Sequence, residues 1–304
     1  MDNVLTLIAN PQLGGLDDHS LEIATNALTE AGASPGAPVW LATGIAADIP
    51  FSTTSESQAQ ILTQAQTLVA EALAPAPLDV AAQAIAGRRK RLLVADMEST
   101  IIENEMLDEL AHEIGASAEI AAITARAMNG ELDFEESLRG RVALFAGLEA
   151  AALDRGLAKI RITPGAEPLV RTMRANGAYC ALVSGGFTFY TNIIRERIGF
   201  DIDQANIIEI ENDIITGAVA SPVLGRDAKR EALMRFCDEL NITVAETMTV
   251  GDGANDLAML TAAGAGVAFH AKPFVAKQAR FNINHGDLTA LLYMQGYRQD
   301  EFAN

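Results

Sequence analysis

The chain has 304 residues, 49% of them hydrophobic and 20% charged, with a formal net charge of −18. That length suits one large core or two domains of ordinary size, and the composition is that of a folded rather than a disordered chain. So acidic a chain excludes non-specific adhesion to nucleic acid, whose phosphates attract basic faces, while local cations still leave room for a small anionic substrate.

No apolar run reaches the roughly 18 residues of a membrane span, and the start MDNVLTLIANPQ lacks the basic stretch of a secretion signal. A cytoplasmic protein that does not engage a membrane is expected. Cys180 and Cys237 are far apart and form no C-x-x-C, so the sequence indicates neither a disulfide framework nor a zinc site.

Residues 1–85 read as βαββαβ. NVLTLIAN is strand-like, and LDDHSLEIATNALTEAG carries Leu21, Ala24, Ala27 and Leu28 at helical spacing before Gly32. APVWLAT and AADIPF read as two short strands turning at Gly44. SESQAQILTQAQTLVAEAL reads as a helix with Ser55 as N-cap, and Leu78 to Ala84 completes the set as a strand. APAP and the basic GRRKR, Gly87 to Arg91, then mark a boundary, the latter read as a solvated linker.

From residue 91 short apolar runs recur: LLVA before Asp96, YCALV before Ser184, TMTV before Gly251 and Asp252, and AGVAF at 265–269. Helical patterns such as TPGAEPLVRTMRANG lie between several of them, which implies a parallel sheet covered on both faces. Residues 103–160 are too long for one crossover. They hold the helical patterns ENEMLDELAHEIG, SAEIAAITARAMNG and DFEESLRGRVALFAG, the last capped by Asp133. An all-helical insertion after the first strand sits over that strand's carboxyl end, where a lid belongs.

In a parallel α/β sheet the ligand crevice lies outside the carboxyl ends of the strands. Asp96, Ser184 and Asp252 each end a strand-like run, with glycines beside them in SGG and GDGAND. Singly, each reads as a turn residue or a cap; together they form a site if their strands are neighbours. Asp96 and Asp252 offer the hard oxygens that suit Mg²⁺, and a carboxylate can also attack phosphorus to form an aspartyl-phosphate. Glu98, two residues on, faces the same way and can give a proton to the leaving oxygen, then take one from water. Ser184, the Gly185 N–H and a lysine can hold the phosphoryl oxygens, and Lys229 in GRDAKREALMRF is the candidate lysine. GDGAND matches neither G-x-G-x-x-G nor an EF-hand loop, no P-loop occurs, and the histidines at 19, 112, 270 and 285 show no ligand spacing.

DMEST, VSGGF, Lys229 and GDGANDLAML, in that order, resemble the four motifs of the haloacid dehalogenase-like phosphatases, and within them the phosphoserine phosphatases, over about 90–300. The resemblance implies an α/β fold of Rossmann-like parallel sheet with helices on both faces and a helical-bundle cap. By its βαββαβ pattern alone, 1–85 resembles an ACT-like α+β module, a fold with a regulatory or dimerising role; the phosphatase resemblance gives 86–304 as the core, with 103–165 as cap. It implies Asp96 as nucleophile and Glu98 as general acid and base. It also implies Mg²⁺ on Asp96, Asp252, the Glu98 carbonyl and Asp256, the last directly or through water, and Ser184, Gly185, Lys229 and Asn255 around the phosphate.

From the cap, Glu105 would meet the substrate ammonium and Arg141 its carboxylate, with Met128 and Phe134 over the pocket. The implied reaction is hydrolysis of O-phospho-L-serine by a chain that forms a homodimer through its first module. Transfer to another hydroxyl, another small phosphomonoester and a non-catalytic amino-acid sensor are the alternatives. Motif I usually has Asp where this chain has Glu98, a methylene longer, which bears on rate rather than reaction type.

Overall fold

The computed structural model describes residues 1–304 except 11, 14, 54–57, 129–130, 226 and 304; the side chains of Gln58 and Met128 also lie outside the description. Ser55, expected to cap a helix, falls among those residues.

The first elements are β1 (Asn3–Ala9), α1 (Asp18–Glu30), β2 (Ala33–Pro35), β3 (Val39–Ala42), β4 (Ala46–Thr53), α2 (Gln58–Leu73) and β5 (Leu78–Ala84). They form an antiparallel sheet ordered β2-β4-β1-β5, with β3 also on β4. Strands β2 and β3 lie along the same edge of β4, pairing Ala33 to Pro35 with Thr53 to Phe51 and Val39 to Ala42 with Asp48 to Ala46. They are the second strand of the expected pattern, interrupted at PGAP because two prolines lack ladder donors.

One face of this sheet buries Leu5, Leu7, Ile49 and Phe51 against Leu21, Ala24 and Leu28 of α1 and Leu62, Ala65 and Val69 of α2. From the other face Ile8, Ala46 and Ala81 join the same buried cluster as Leu291 and Leu292 near the far end of the chain. Polar contacts reinforce this seam. Asn10 Nδ2 donates to His285 O at 2.7 Å, Gln83 Nε2 to Met294 O at 2.6 Å, and Asp79 accepts from the N–H groups of Asn284 and Gly286 at 2.7 Å each.

Residues 87–91 lie outside helix and strand, and their arginines make specific contacts besides meeting solvent. Arg88 meets Asp48 at 2.6 Å, Arg89 stacks on Tyr297 at 4.0 Å and pairs with Glu301, and Arg91 pairs with Glu246 at 3.1 Å.

β6 (Leu92–Ala95) begins the second sheet. It is followed by α3 (Met106–Ile114), α4 (Ser117–Met128), α5 (Phe134–Ala143) and α6 (Ala151–Leu157), the helical insertion expected after the first strand. Asp133 and Glu136 form a reciprocal capping box at the start of α5. The chain continues through α7 (Ala166–Ala175), β7 (Tyr179–Phe187), α8 (Thr188–Ile198), β8 (Ile202–Asn206), β9 (Ile208–Glu211), β10 (Ile214–Val219) and α9 (Ala228–Leu240). It ends with β11 (Thr247–Gly251), α10 (Leu257–Ala262), β12 (Ala265–Phe269), α11 (Pro273–Ala276), β13 (Phe281–Ile283) and α12 (Ala290–Met294).

The second sheet is parallel and ordered β13-β12-β11-β6-β7-β8, which makes β6 the neighbour of both β11 and β7. Successive side chains of β6 go to opposite faces: Leu92 and Val94 pack with Leu233 and Phe236 of α9, Leu93 and Ala95 with the cluster holding Leu169 and Met173 of α7. Both faces are covered, so the strand reads as an unbroken apolar run. Against β8, β7 slips register: Val183 pairs with Gln204 and Phe187 with Asn206, so Ser184 to Gly186 bulge opposite Ala205. β9 and β10 form a separate hairpin beside α5 that the sequence reading did not include. Cys180 and Cys237 are both free and buried, and among the described residues no helix is long and apolar enough to cross a membrane.

Candidate active site

Because β11, β6 and β7 are adjacent and parallel, their carboxyl ends bring Asp252, Asp96 and Ser184 together from distant stretches of sequence. Asp96 is buried just past β6. One of its oxygens, Oδ1, takes hydrogen bonds from the Met97 N–H and from Lys229 Nζ, both at 2.7 Å. Lys229, in the first turn of α9, is itself buried and reaches Asp256 Oδ1 at 2.5 Å with the same ammonium. The other Asp256 oxygen accepts the Gly253 N–H at 2.9 Å. Asp256 has room only because residue 251 lacks a side chain: a Cβ there would lie 2.4 Å from the Asp256 Cγ.

Carboxylate oxygens of Asp96, Asp252 and Asp256 all lie within 4.8 Å of one another. Such crowding away from water has a cost in charge. Burial, reinforced by Asp256, pushes the Asp96 carboxyl well above its ordinary range against the pull of Lys229. Burial and the charges of Asp256 and Glu105 push Asp252 up to about 6. Burial also works against the Lys229 charge, but Asp256 and Asp96 outweigh it and raise its pKa. Lys229 is therefore charged, and one ammonium faces three carboxyls. Hard oxygen donors in net negative surroundings, with neither imidazole nor thiolate in the set, fit a divalent ion of the magnesium or calcium kind better than zinc.

Glu98 leaves the strand tip and turns toward the cap. Its Oε1 accepts the Met106 N–H at 2.8 Å, the first N–H of α3, while Oε2 lies 3.1 Å from where a Cβ on Gly186 would stand. Burial, and then the nearby Glu105 charge, raises Glu98 to about 7. Ser99 between them has φ 53, a left-handed conformation that turns its hydroxyl to Glu105 Oε1 at 2.7 Å.

Ser184 Oγ accepts the Gly186 N–H at 2.9 Å. That uses one of its lone pairs and leaves the hydroxyl proton for another partner. Phe134 of α5 closes over this loop, with its ring 3.3 Å from the place a Cβ on Gly185 would occupy. Phe134, Ser184, Gly185, Lys229 and Asn255 line one crevice, together with Leu224. Arg141, half-buried on α5, is near enough for its charge to act on Glu98, and its Nε lies 3.4 Å from Ser137 O. Glu105 stands exposed at the start of α3. Met128 ends α4, with its side chain outside the description.

Asn206, at the end of β8, shapes the site and carried no signal in the sequence. Gly251 was named beside Asp252, where a glycine permits close approach, but its role as the space that Asp256 fills was not read.

A model of the haloacid dehalogenase-like hydrolases matches residues 90–264, more than half of the chain. The chain is 42% identical over 238 residues to a phosphoserine phosphatase of Streptomyces coelicolor, an overlap of 78% of this chain and 58% of that one. It is 43% identical over 208 residues to a phosphoserine phosphatase of a Polaromonas species, covering 66% of this chain and 88% of that one. The chain thus spans well under two thirds of the Streptomyces relative and most of the Polaromonas one. Among solved structures, the unliganded probable phosphoserine phosphatase of Vibrio cholerae superposes with a TM-score of 0.78 at 29% identity, over 99% of this chain and 88% of that one. With the strand that ends at Asp96, the SGG bulge, the buried lysine and the acids of GDGAND all meeting at one sheet edge, the chain belongs to the haloacid dehalogenase-like hydrolases.

Proposed function

We propose that this chain hydrolyses O-phospho-L-serine to L-serine and inorganic phosphate through a phosphorylated Asp96. The observation that carries the reading is the buried Asp96–Lys229–Asp256 triad, with Ser184 on one neighbouring strand and Asp252 on the other. The free Asp96 oxygen attacks phosphorus, and the serine oxygen leaves with the proton of Glu98 Oε2. Glu98 then removes a proton from the water that attacks the aspartyl-phosphate, which returns Asp96 and releases phosphate. The Ser184 hydroxyl, the Gly185 N–H and Lys229 hold the phosphoryl oxygens, beside Asn255. The donor set of Asp96, Asp252, Asp256 and the Glu98 carbonyl fits Mg²⁺, which when bound supplies the positive charge that lets a carboxylate approach a phosphate.

Glu105 and Arg141 stand on opposite sides of the Glu98 carboxyl in charge, one raising and one lowering its pKa. That polarity suits a zwitterion: Glu105 for the ammonium, Arg141 for the carboxylate, with Phe134 as the apolar roof. The division into an ACT-like module over 1–85, a catalytic part over 86–304 and a cap over 103–165 belongs to the same proposal. So do a homodimer through the first module and a cytoplasmic setting. The β2/β3-β4-β1-β5 order supports the first of these.

Phosphate release from a panel of phosphomonoesters, with and without Mg²⁺, tests the reading. Phosphoserine should lead phosphothreonine and sugar phosphates, and Asp96→Asn should be inert. Equal rates across the panel would discard the serine assignment, and an active Asp96→Asn would discard the mechanism.

A further inference from the structure

We infer that Asn206 is a positioning residue that sets the Ser184 hydroxyl and holds it in register with the loop leading to Lys229. The inference rests on the phosphate-binding role proposed for Ser184 and goes beyond it, because Asn206 belongs to none of the motifs.

The argument begins with the bulge. Three residues of β7, Ser184 to Gly186, oppose the single Ala205 of β8, so this stretch loses the regular ladder partners of a parallel pair. Buried backbone groups freed in this way must bond elsewhere. Asn206 is buried, and its Nδ2 donates to Gly185 O at 2.9 Å. The far side of the same peptide unit is the Gly186 N–H, which points the opposite way in a trans peptide and donates to Ser184 Oγ at 2.9 Å. One rigid peptide is thus held at both ends, by Asn206 at its oxygen and by Ser184 at its nitrogen. Fixing the first end fixes where the second must be.

The other half of the amide is also used. Asn206 Oδ1 accepts the Leu224 N–H at 2.8 Å. Leu224 lines the crevice with Phe134, and its loop runs directly into α9, which carries Lys229. A side chain with one donor and one acceptor on a planar head spans the two phosphate-facing segments at a set distance. Asp at this position keeps the acceptor and loses the donor, and it sets a carboxylate against the Gly185 carbonyl.

The experiment is a double-mutant cycle on the full chain with Asn206→Asp, Ser184→Ala and the pair, with Asn206→Ala as a second probe. Turnover of phosphoserine and of p-nitrophenyl phosphate is measured, with circular dichroism to follow folding. Asn206→Asp should lower kcat/KM about tenfold, the weight of one buried hydrogen bond, and in the Ser184→Ala background it should change it by less than about twofold. Half-saturation by Mg²⁺ should not move in Asn206→Asp. Effects that multiply in the pair, a variant as active as wild type, or loss of the fold in both Asn206 variants would each overturn the inference and leave Asn206 as architecture. A wild type that cleaves the aryl phosphate but not phosphoserine would sink the substrate reading alone, and the cycle would still be read on the aryl substrate.

Discussion

Gly251→Ala places a single methyl group where the structure has no space. The new Cβ would stand 2.4 Å from Asp256 Cγ, 2.5 Å from its Oδ2 and 2.8 Å from its Cβ. Asp256 cannot swing aside cheaply: it is fully buried, with Oδ1 at 2.5 Å from Lys229 Nζ and Oδ2 at 2.9 Å from the Gly253 N–H. Nor can β11 move freely, since it is paired with β6 on one side and β12 on the other. Either the carboxylate leaves its partners or the sheet opens. Overpacking costs about 1–3 kcal/mol, and breaking a hydrogen bond between charged groups about 1.5–3 kcal/mol more. At roughly 2–4 °C per kcal/mol, the melting temperature should fall on the order of 10 °C. A displaced Asp256 also loosens the acid cluster, so half-saturation by Mg²⁺ should rise about 10–100-fold. Scanning calorimetry and an Mg²⁺ titration of phosphate release measure the two effects. A variant that melts with wild type and keeps its Mg²⁺ dependence would refute the claim that residue 251 makes room for Asp256.

Lys229→Met removes the ammonium shared by Asp96 and Asp256 and leaves buried carboxylates uncompensated, a loss of about 3–5 kcal/mol that added Mg²⁺ should partly restore; melting curves with and without the ion test this. Glu98→Gln keeps an oxygen for the Met106 N–H but cannot transfer a proton, so phosphoserine turnover should fall about 10²–10⁴-fold at an unchanged melting temperature. p-Nitrophenyl phosphate, whose leaving group needs no proton, should lose much less in the first step; an equal loss on both substrates would remove Glu98 from the acid role. Asp17 caps α1, and its bonds from Ser20 hold its carboxyl below the ordinary 3.8. A depressed carboxyl stabilises the fold above its unfolded value and loses that share as pH falls through its folded value. The urea midpoint of Asp17→Ala should therefore lie below wild type at pH 7, and the gap should narrow in acid below the ordinary carboxylate range.

How far the site could be read in advance follows from which parts of it are local. Asp96, Ser184 and Asp252 each stand after a continuous apolar run, and such runs are what strands covered on both faces require. β8 offered no such run, because Ile202 to Gln204 on this edge strand are only half-buried. The β9–β10 hairpin turns at Asn212 and Asp213, with φ of 50 and 63, and its Asn-Asp pair between alternating segments was a turn signal left unused. Around Pro35 and Pro38 the second strand of the pattern is split: APVWLAT holds its later piece, and the earlier piece, Ala33–Pro35, was not read. Asn206 lay beyond sequence reading altogether, since its role arises from a register slip between β7 and β8 that no residue pattern encodes.

The clasp between the first sheet and residues 284–294 has a consequence for synthesis. Asn10, Asp79 and Gln83 are made early, yet their partners in this clasp lie between residues 284 and 294. A chain that emerges from its first residue at about 5–20 residues per second has its opening sheet complete some ten seconds or more before those partners exist. Until then Ile8, Ala46 and Ala81 lack Leu291 and Leu292, with which they share a buried cluster in the folded chain.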